Sequence, residues 1–384
     1  MITNVIVIMK IQLPEIRIIP AFNVREVHNT ICRGVLTACF MLVLSFGCDD
    51  GSETTPDPEY GPTREVFFGE ELALVQEISF KAEQFTVFGD LRIPPLGEKH
   101  PVILMLHGSG EATRNGSVPF EPIIEIFLRN GFAVLSWDKP GSGKSTGEFS
   151  SGRTLSDRAI IVLAAIQVMQ DNASIDGSLI GLWGISQAGW VMSKVLESSN
   201  RVSFMIVVGG GAEDSIEQFA YLVGQVAACA GETPEKVEDI EKYWSQMIKA
   251  LNYTEYRDAA DFIATIPSIV DFTGLEVSEE NEWTAWPRDI DAFFDPMDVM
   301  KSIDIPVLVF YGELDRNIDP VQGASAYQQA LDEAGNEDYR IEVLQGAGHI
   351  LFEAETGCLD EFVGNEYVPE YLEILEDWIS TNVP

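Results

Sequence analysis

The sequence predicts an α/β fold built on a mostly parallel sheet, and three observations carry that expectation. Short, nearly continuous apolar runs at 102–106, 132–137, 179–183, 204–208, 307–311 and 339–344 have the pattern of strands buried on both faces. Segments with helical apolar spacing separate several of them, as crossovers between parallel strands require. The run 179–183 leads into Gly184-Ile185-Ser186-Gln187-Ala188-Gly189 and then a helix-compatible stretch to Leu196, which puts a serine on a tight strand-to-helix turn.

The elements follow in order. Residues 34–47 form an uncharged apolar run preceded by Arg33 and closed by Ser45-Phe46-Gly47-Cys48. The run is short for a bilayer span and the right size for the apolar region of an export signal. Residues 1–47 are therefore read as a leader. Cys48 directly after a glycine resembles the lipidation site of bacterial lipoproteins; an ordinary signal peptide is the alternative. Residues 48–71 begin polar and proline-bearing and are read as a flexible tether. Alternating stretches at 73–80 and 84–93 predict antiparallel opening strands.

Further along, Ile123, Ile124, Phe127 and Leu128 make an apolar helical stripe that stops at Gly131, and Ala159, Val162, Leu163 and Ile166 make another. The strand–helix rhythm breaks at 212–304, which holds tryptophans, many acidic residues and helical stretches such as 237–251. The sheet pattern resumes at Ile305-Pro306-Val307, so this segment reads as a helical cap inserted into a core made of 72–211 and 305–384. A second independent domain is the alternative. Trp244, Trp283 and Trp286 of the segment are expected to shape a substrate pocket beneath it.

A chain of 384 residues can bury one large core with an insertion. With 61 acidic against 24 basic residues its net charge is −37, which repels phosphate backbones and argues against nucleic acid as a partner. The acidity is spread along the chain, as for a solvated surface. Of five cysteines, Cys32 and Cys39 lie in the leader and Cys48 ends it. Cys229 and Cys358 remain, and an exported protein could pair them, but the sequence does not show that they meet.

A serine hydroxyl is a poor nucleophile until a base takes its proton, and a third group normally orients that base. The chain has four histidines. His28 lies in the leader, His100 in a polar loop, and His107 in Leu106-His107-Gly108-Ser109-Gly110, where its ring is expected to brace the turn. His349, in Gly346-Ala347-Gly348-His349 after a strand, is left as the base. The acid should follow the strand 307–311; Asp315 is placed there, with Glu313 and Asp319 as rivals. Backbone amides should hold the oxyanion: one from Gln187, directly after Ser186, the other from Ser109 or Gly108.

Two other chemistries are set aside. Gly141-Ser142-Gly143-Lys144-Ser145-Thr146 ends like a phosphate-binding loop, but the required first glycine falls on Asp138. For zinc there is no His-Glu-x-x-His pattern and there are too few histidines.

Taken together, 106–110, 136–145, Gly184 to Gly189, Gly312 to Asp315 and His349 resemble the α/β-hydrolase superfamily, over roughly residues 72–384. The phrase Gly181-Leu182-Trp183-Gly184-Ile185-Ser186-Gln187-Ala188-Gly189-Trp190 and the run 131–147 are most similar to its bacterial serine esterases near the prolyl-oligopeptidase-like group. The strict nucleophile motif is Gly-x-Ser-x-Gly, and here Ala188 stands fifth with the glycine displaced to Gly189. The resemblance implies an acyl-serine intermediate, hydrolysis by water, and no cofactor. It leaves the acyl group open. The expected protein is thus an exported, lipid-anchored serine esterase acting on a small-molecule ester, with oligomeric state undetermined. A peptidase or thioesterase shares the chemistry, and a non-catalytic binder in the same cleft is the reading from another class.

Overall fold

A computed structural model of the chain describes residues 57–116, 118–150, 152–359, 361 and 366–382. The leader 1–47 and Cys48 lie outside the described residues. The strands are β1 (Glu59–Phe68), β2 (Glu71–Ala82), β3 (Phe85–Ile93), β4 (His100–Leu106), β5 (Ala133–Trp137), β6 (Ile175–Ile185), β7 (Phe204–Val208), β8 (Val307–Gly312) and β9 (Tyr339–Leu344). They form one sheet in the order β1-β2-β3-β5-β4-β6-β7-β8-β9. Pairing is antiparallel from β1 to β5 and parallel from there to β9.

Helices α1 (Glu121–Arg129), α2 (Thr154–Asp171) and α3 (Ala188–Ser198) alternate with the central strands. Between β7 and β8 come α4 (Ser215–Cys229), α5 (Pro234–Lys249), α6 (Tyr253–Ile263), α7 (Pro267–Thr273) and α8 (Met297–Met300). The chain closes with α9 (Pro320–Ala334) before β9 and α10 (Pro369–Asn382) after it.

The central strands are apolar throughout because both faces are covered, and the pleat sorts successive side chains into two cores. Leu104, Leu182, Val207 and Val309 point to one side, where they pack on Val162 of α2, Val191 of α3 and Tyr327 of α9. Ile103, Trp183, Ile206 and Phe310 point to the other, against Phe127 of α1 and Trp378 of α10. Trp183, Phe310 and Phe127 are wholly buried, so truncating any one of them to alanine should cost about 3–5 kcal/mol.

Part of the segment 48–71, read from the sequence as a tether, is a strand. Residues 59–68 form β1, an edge strand in register with β2. The polar face of β1 is exposed and only residues such as Val66 and Phe68 are half-buried, so its composition resembles that of a linker. Backbone pairing rather than burial makes it a strand.

Helices α4 to α7 enclose their own apolar cluster around Val223, Ile240, Trp244, Ile263 and Ile269. Helices α4, α5 and α6 each begin on a capping side chain. The Asp214 side chain caps α4 by accepting from the amides of Ile216 and Glu217, Thr233 precedes Pro234 at the start of α5, and Asn252 caps α6. Trp244 is a core residue of this cluster, so it stabilises the insertion itself, in contrast to the pocket role expected of it; Trp286 is the exposed tryptophan. Among the described residues no helix is long and apolar enough to cross a membrane.

Cys229, at the end of α4, forms a disulfide with Cys358, closing a loop of 129 residues between the insertion and the segment before α10. Replacing both cysteines with alanine should lower unfolding stability by about 2–4 kcal/mol, measured by denaturant titration, because the unfolded chain regains the entropy that the cross-link removes. Addition of reductant should produce the same loss in the wild type and none in the double variant.

Candidate active site

Strand β6 ends at Ile185, and the next residue turns sharply. Ser186 has φ of +57°, a left-handed conformation that costs a non-glycine residue on the order of 1–3 kcal/mol. It is held there from both sides: its N–H donates to the Val208 carbonyl at 2.8 Å, and its carbonyl accepts from the Gly189 amide at 2.9 Å. The displaced glycine of the motif has a reason. A Cβ on Gly189 would lie 3.0 Å from the Gly210 Cα, whereas Ala188 fits wholly buried between strand and helix. Sharp turn and close strand–helix packing are thus both preserved with alanine in fifth place.

The loop after β8 carries Asp315, buried with 1% of its surface exposed. One carboxylate oxygen accepts from the amides of Asn317 (2.8 Å) and Ile318 (2.9 Å); the other lies 2.8 Å from His349 Nδ1. An ionised carboxylate only accepts, so Nδ1 carries the proton and Nε2 is left with its lone pair. The two rivals have other work. Glu313 accepts from the Gly346 amide, and Asp319 caps α9 through the amides of Val321 and Gln322.

His349 sits in the loop after β9, packed against the end of β7. A Cβ on Gly209 would lie 2.9 Å from the His349 carbonyl oxygen and 3.2 Å from its Nδ1, so the imidazole needs a glycine there. Val208, one residue earlier, binds the Ser186 amide. Serine and histidine therefore flank the same strand end.

Opposite Ser186 lies the turn after β4. A Cβ on Gly108 would stand 3.3 Å from the serine Cβ, which brings the 107–110 backbone directly alongside the hydroxyl-bearing residue. Gln187 opens α3, where the first amides have no acceptor within the helix. His107 Nε2 donates to the Trp137 carbonyl at 2.9 Å, and the ring stacks on Phe120 with centroids 5.2 Å apart. Burial holds its pKa down at about 3, so it is neutral and braces the turn.

Two buried basic residues were not assigned a role from the sequence. Lys139 Nζ donates to the carbonyls of Gly108 (2.6 Å) and Gly110 (2.5 Å). Arg158, on α2, donates to the carbonyls of His107 and Gly108 and, at 2.6 Å, to Gln187 Oε1. The signal was present: Arg158 falls between Leu155 and Val162 at helical spacing, a charge on an apolar stripe.

The phosphate-loop look-alike folds around a carboxylate of its own. Asp138 accepts from the Lys144 amide at 2.9 Å and from the Arg114 guanidinium, and Arg114 also pairs with Asp90 and Glu77. The amide that would cradle a phosphate is therefore spent internally. His100 Nδ1 donates to the Gly131 carbonyl, 3.0 Å away, at the start of β4 and far along the chain from the serine.

Helix α4 docks on the acid loop along one face. Gln218 donates to the Asn317 carbonyl, the Tyr221 hydroxyl donates to the Asp315 carbonyl at 3.0 Å, and Gln225 accepts from Arg316 at 2.6 Å. Cys229, one turn further, carries the disulfide.

Residues 103–360 match the family described as the alpha/beta hydrolase family. An uncharacterized 31.7 kDa Escherichia coli protein of the traX-finO intergenic region is 30% identical over 116 residues, 30% of this chain and 39% of its own. A 2-hydroxy-6-oxononadienedioate/2-hydroxy-6-oxononatrienedioate hydrolase of Klebsiella pneumoniae is 30% identical over 122 residues, 32% of this chain and 40% of its own. The chain thus spans about two fifths of the length of these curated relatives. Among solved structures, an acetyl xylan esterase from Paenibacillus sp. R4 superposes with a TM-score of 0.51 at 13% identity, covering 84% of this chain and 87% of that one. Acetyl xylan esterase 1 from Thermoanaerobacterium sp. JW/SL YS485 gives 0.50 at 15% identity, covering 85% and 88%.

Glu213, between the end of β7 and the cap of α4, is pushed up to about 7 by burial and then by Glu217, Asp214 and Asp319. A raised carboxyl pKa adds stability that is complete below the ordinary value of 4.5 and is lost as pH rises through 7. Glu213→Gln should therefore stabilise the fold at pH 8 by about 1 kcal/mol, after allowance for solvent screening, and change it little at pH 4.5. Denaturant unfolding at the two pH values checks this, and an equal effect at both would remove the assignment.

Proposed function

The chain belongs to the alpha/beta hydrolase family, and from that premise we propose that it is a serine hydrolase cleaving carboxylic esters through an acyl-serine intermediate. The observation that carries the reading is the Asp315 carboxylate seated 2.8 Å from His349 Nδ1, beside the strand end that holds Ser186 in its left-handed turn.

In this reading His349 Nε2 takes the hydroxyl proton as Ser186 Oγ attacks the ester carbonyl carbon. Asp315 keeps the imidazole in the required tautomer and stabilises its cation. The amides of Gln187 and of Gly108 or Ser109 hold the oxyanion. As the tetrahedral intermediate collapses, the bond to the alcohol breaks and the alcohol leaves with the proton from His349. Water, deprotonated by the same imidazole, then hydrolyses the acyl-serine and restores the enzyme. No cofactor enters these steps.

We also propose that the protein is exported and anchored through an acylated Cys48. The Cys229–Cys358 disulfide supports an oxidising compartment. The apolar run 34–47 before Gly47-Cys48 supports the anchor.

Ser186→Ala should abolish ester turnover and covalent labelling by a fluorophosphonate, which reacts only with an activated serine. Asp315→Asn should lower kcat by a factor on the order of 10³ or more, while Glu313→Gln and Asp319→Asn keep most activity. Full labelling of Ser186→Ala, or a crippled Asp319→Asn beside an active Asp315→Asn, would refute the assignment. Cells fed a traceable fatty acid should label the wild type and leave Cys48→Ala unlabelled; equal labelling of both removes the anchor.

A further inference from the structure

Arg158 and Lys139 are both buried, with 5% and 4% of their surface exposed. Among the described residues neither has a carboxylate within ion-pair distance; their hydrogen-bond acceptors are backbone carbonyls and one side-chain amide. The void beside them, bounded also by Trp137, Phe149 and Val191, measures about 10 Å³. That is at the lower limit for a single water. A dehydrated, unpaired charge costs several kcal/mol, so a fold that keeps one beside its nucleophile calls for a reason.

The reason lies in what the three acceptors of Arg158 have in common. A trans peptide is planar, with its C=O and N–H pointing in opposite directions. The His107 carbonyl belongs to the peptide whose N–H is that of Gly108, and the Gly108 carbonyl to the peptide whose N–H is that of Ser109. Holding those two oxygens on the inner side aims both N–H groups outward. The turn lies against Ser186, with Gly108 at contact distance. The third acceptor, Gln187 Oε1, belongs to the residue whose amide is the other oxyanion donor. One guanidinium thereby joins the two halves of the oxyanion site, which come from different strands.

We infer that Arg158 is a positioning residue that clamps the 107–109 turn to Gln187 and, through its uncompensated positive charge, strengthens the amides that receive the oxyanion. A cation on a peptide oxygen polarises the whole group and makes its N–H a better donor. Lys139 adds a second hold on the Gly108 carbonyl. Burial, and then Arg158, pull Lys139 down to about 6, so near neutral pH it serves as an uncharged amine whose two N–H groups suffice for its two carbonyls. The charge then rests on Arg158, which burial lowers only to about 9.

This inference rests on the serine-hydrolase reading, and the experiment separates the two. Full-length wild type, Ser186→Ala, Arg158→Met, Arg158→Ala and Arg158→Lys are assayed with a p-nitrophenyl ester and with a trifluoromethyl ketone, which captures the serine as a tetrahedral oxyanion. Arg158→Met should lose about 10²–10³ in kcat with KM changed by less than about threefold, because the lost interaction develops with the transition-state charge. The ketone should bind more weakly by a similar factor. Ethylguanidinium added to Arg158→Ala should restore part of kcat, which a merely structural defect would not permit. A folded Arg158→Met with wild-type kcat, or a loss confined to KM, overturns the inference. If circular dichroism shows Arg158→Met unfolded, Arg158→Lys decides. Its single ammonium cannot reach three acceptors, so kcat should fall at least about tenfold, and a wild-type value refutes the clamp. A wild type with no Ser186-dependent turnover sinks the hydrolase reading itself, before any Arg158 variant is compared.

Discussion

The site depends on the parallel pairing of β6, β7 and β8, which ends three strands side by side. Ile185 is in register with Val208, and Val208 with Phe310. The residues that follow these positions are forced into turns at one edge of the sheet: Ser186, Gly209 and the Gly312 to Asp315 loop. A single hydrogen bond, from the Ser186 amide to the Val208 carbonyl, transmits this register to the nucleophile turn. Slippage by one residue would reverse the faces of the strand and destroy both cores with it. Geometry at the edge is thus guaranteed by burial deep in the sheet, where Leu182, Val207 and Val309 on one side and Trp183, Ile206 and Phe310 on the other admit no other pairing.

Strain and charge at that edge are both compensated by the rigid scaffold. A serine in the left-handed region and an unpaired buried guanidinium would each destabilise a free loop. Here the serine is fixed by backbone hydrogen bonds to β7 and α3, and the guanidinium by three neutral oxygens. The contrast with Arg114 is instructive. That side chain, also buried, meets Asp90, Asp138 and Glu77, and stabilises the turn after β5 as an ordinary ion cluster. These two arginines therefore differ in kind: Arg114 is neutralised, Arg158 is not, and Arg158 touches the residues beside Ser186.

Most of the fold was legible because it rests on patterns local to the chain. The six runs became β4 to β9: β4 to β8 are the inner strands, covered on both faces, whereas β9, which carries Arg340 and Glu342, is half-buried at the sheet edge. β1 was not legible, because an edge strand with an exposed polar face has the composition of a linker. The turn carrying Ser186, and loops bearing an acid and a histidine after β8 and β9, followed from strand ends. The sequence placed Asp315 as the acid but left Glu313 and Asp319 as rivals, since all three lie in one loop and only the third dimension shows that Glu313 binds the Gly346 amide and Asp319 caps α9. Trp244 misled for a related reason: a large aromatic in an insertion suits a pocket wall or a core equally well, and the periodicity of α5 turns it inward. Arg158 and the Cys229–Cys358 bridge depend on contacts between distant segments, which a single sequence does not display.

The insertion has a mechanical consequence at the acid loop. The contacts from Gln218, Tyr221 and Gln225 recur at helical spacing along α4, and they reach Asn317, Asp315 and Arg316 in turn. Asp315, Arg316 and Asn317 are thereby each held by one rung of a helix, and the disulfide extends the ladder to the segment that follows His349. Loops bearing functional groups are usually the soft parts of a fold. Here the acid loop is trapped between its own sheet and α4, whose far side is packed by Trp244 and Ile240 into a separate core. Changes in the insertion are therefore felt at Asp315 through backbone position, even where the altered side chain lies nowhere near the serine.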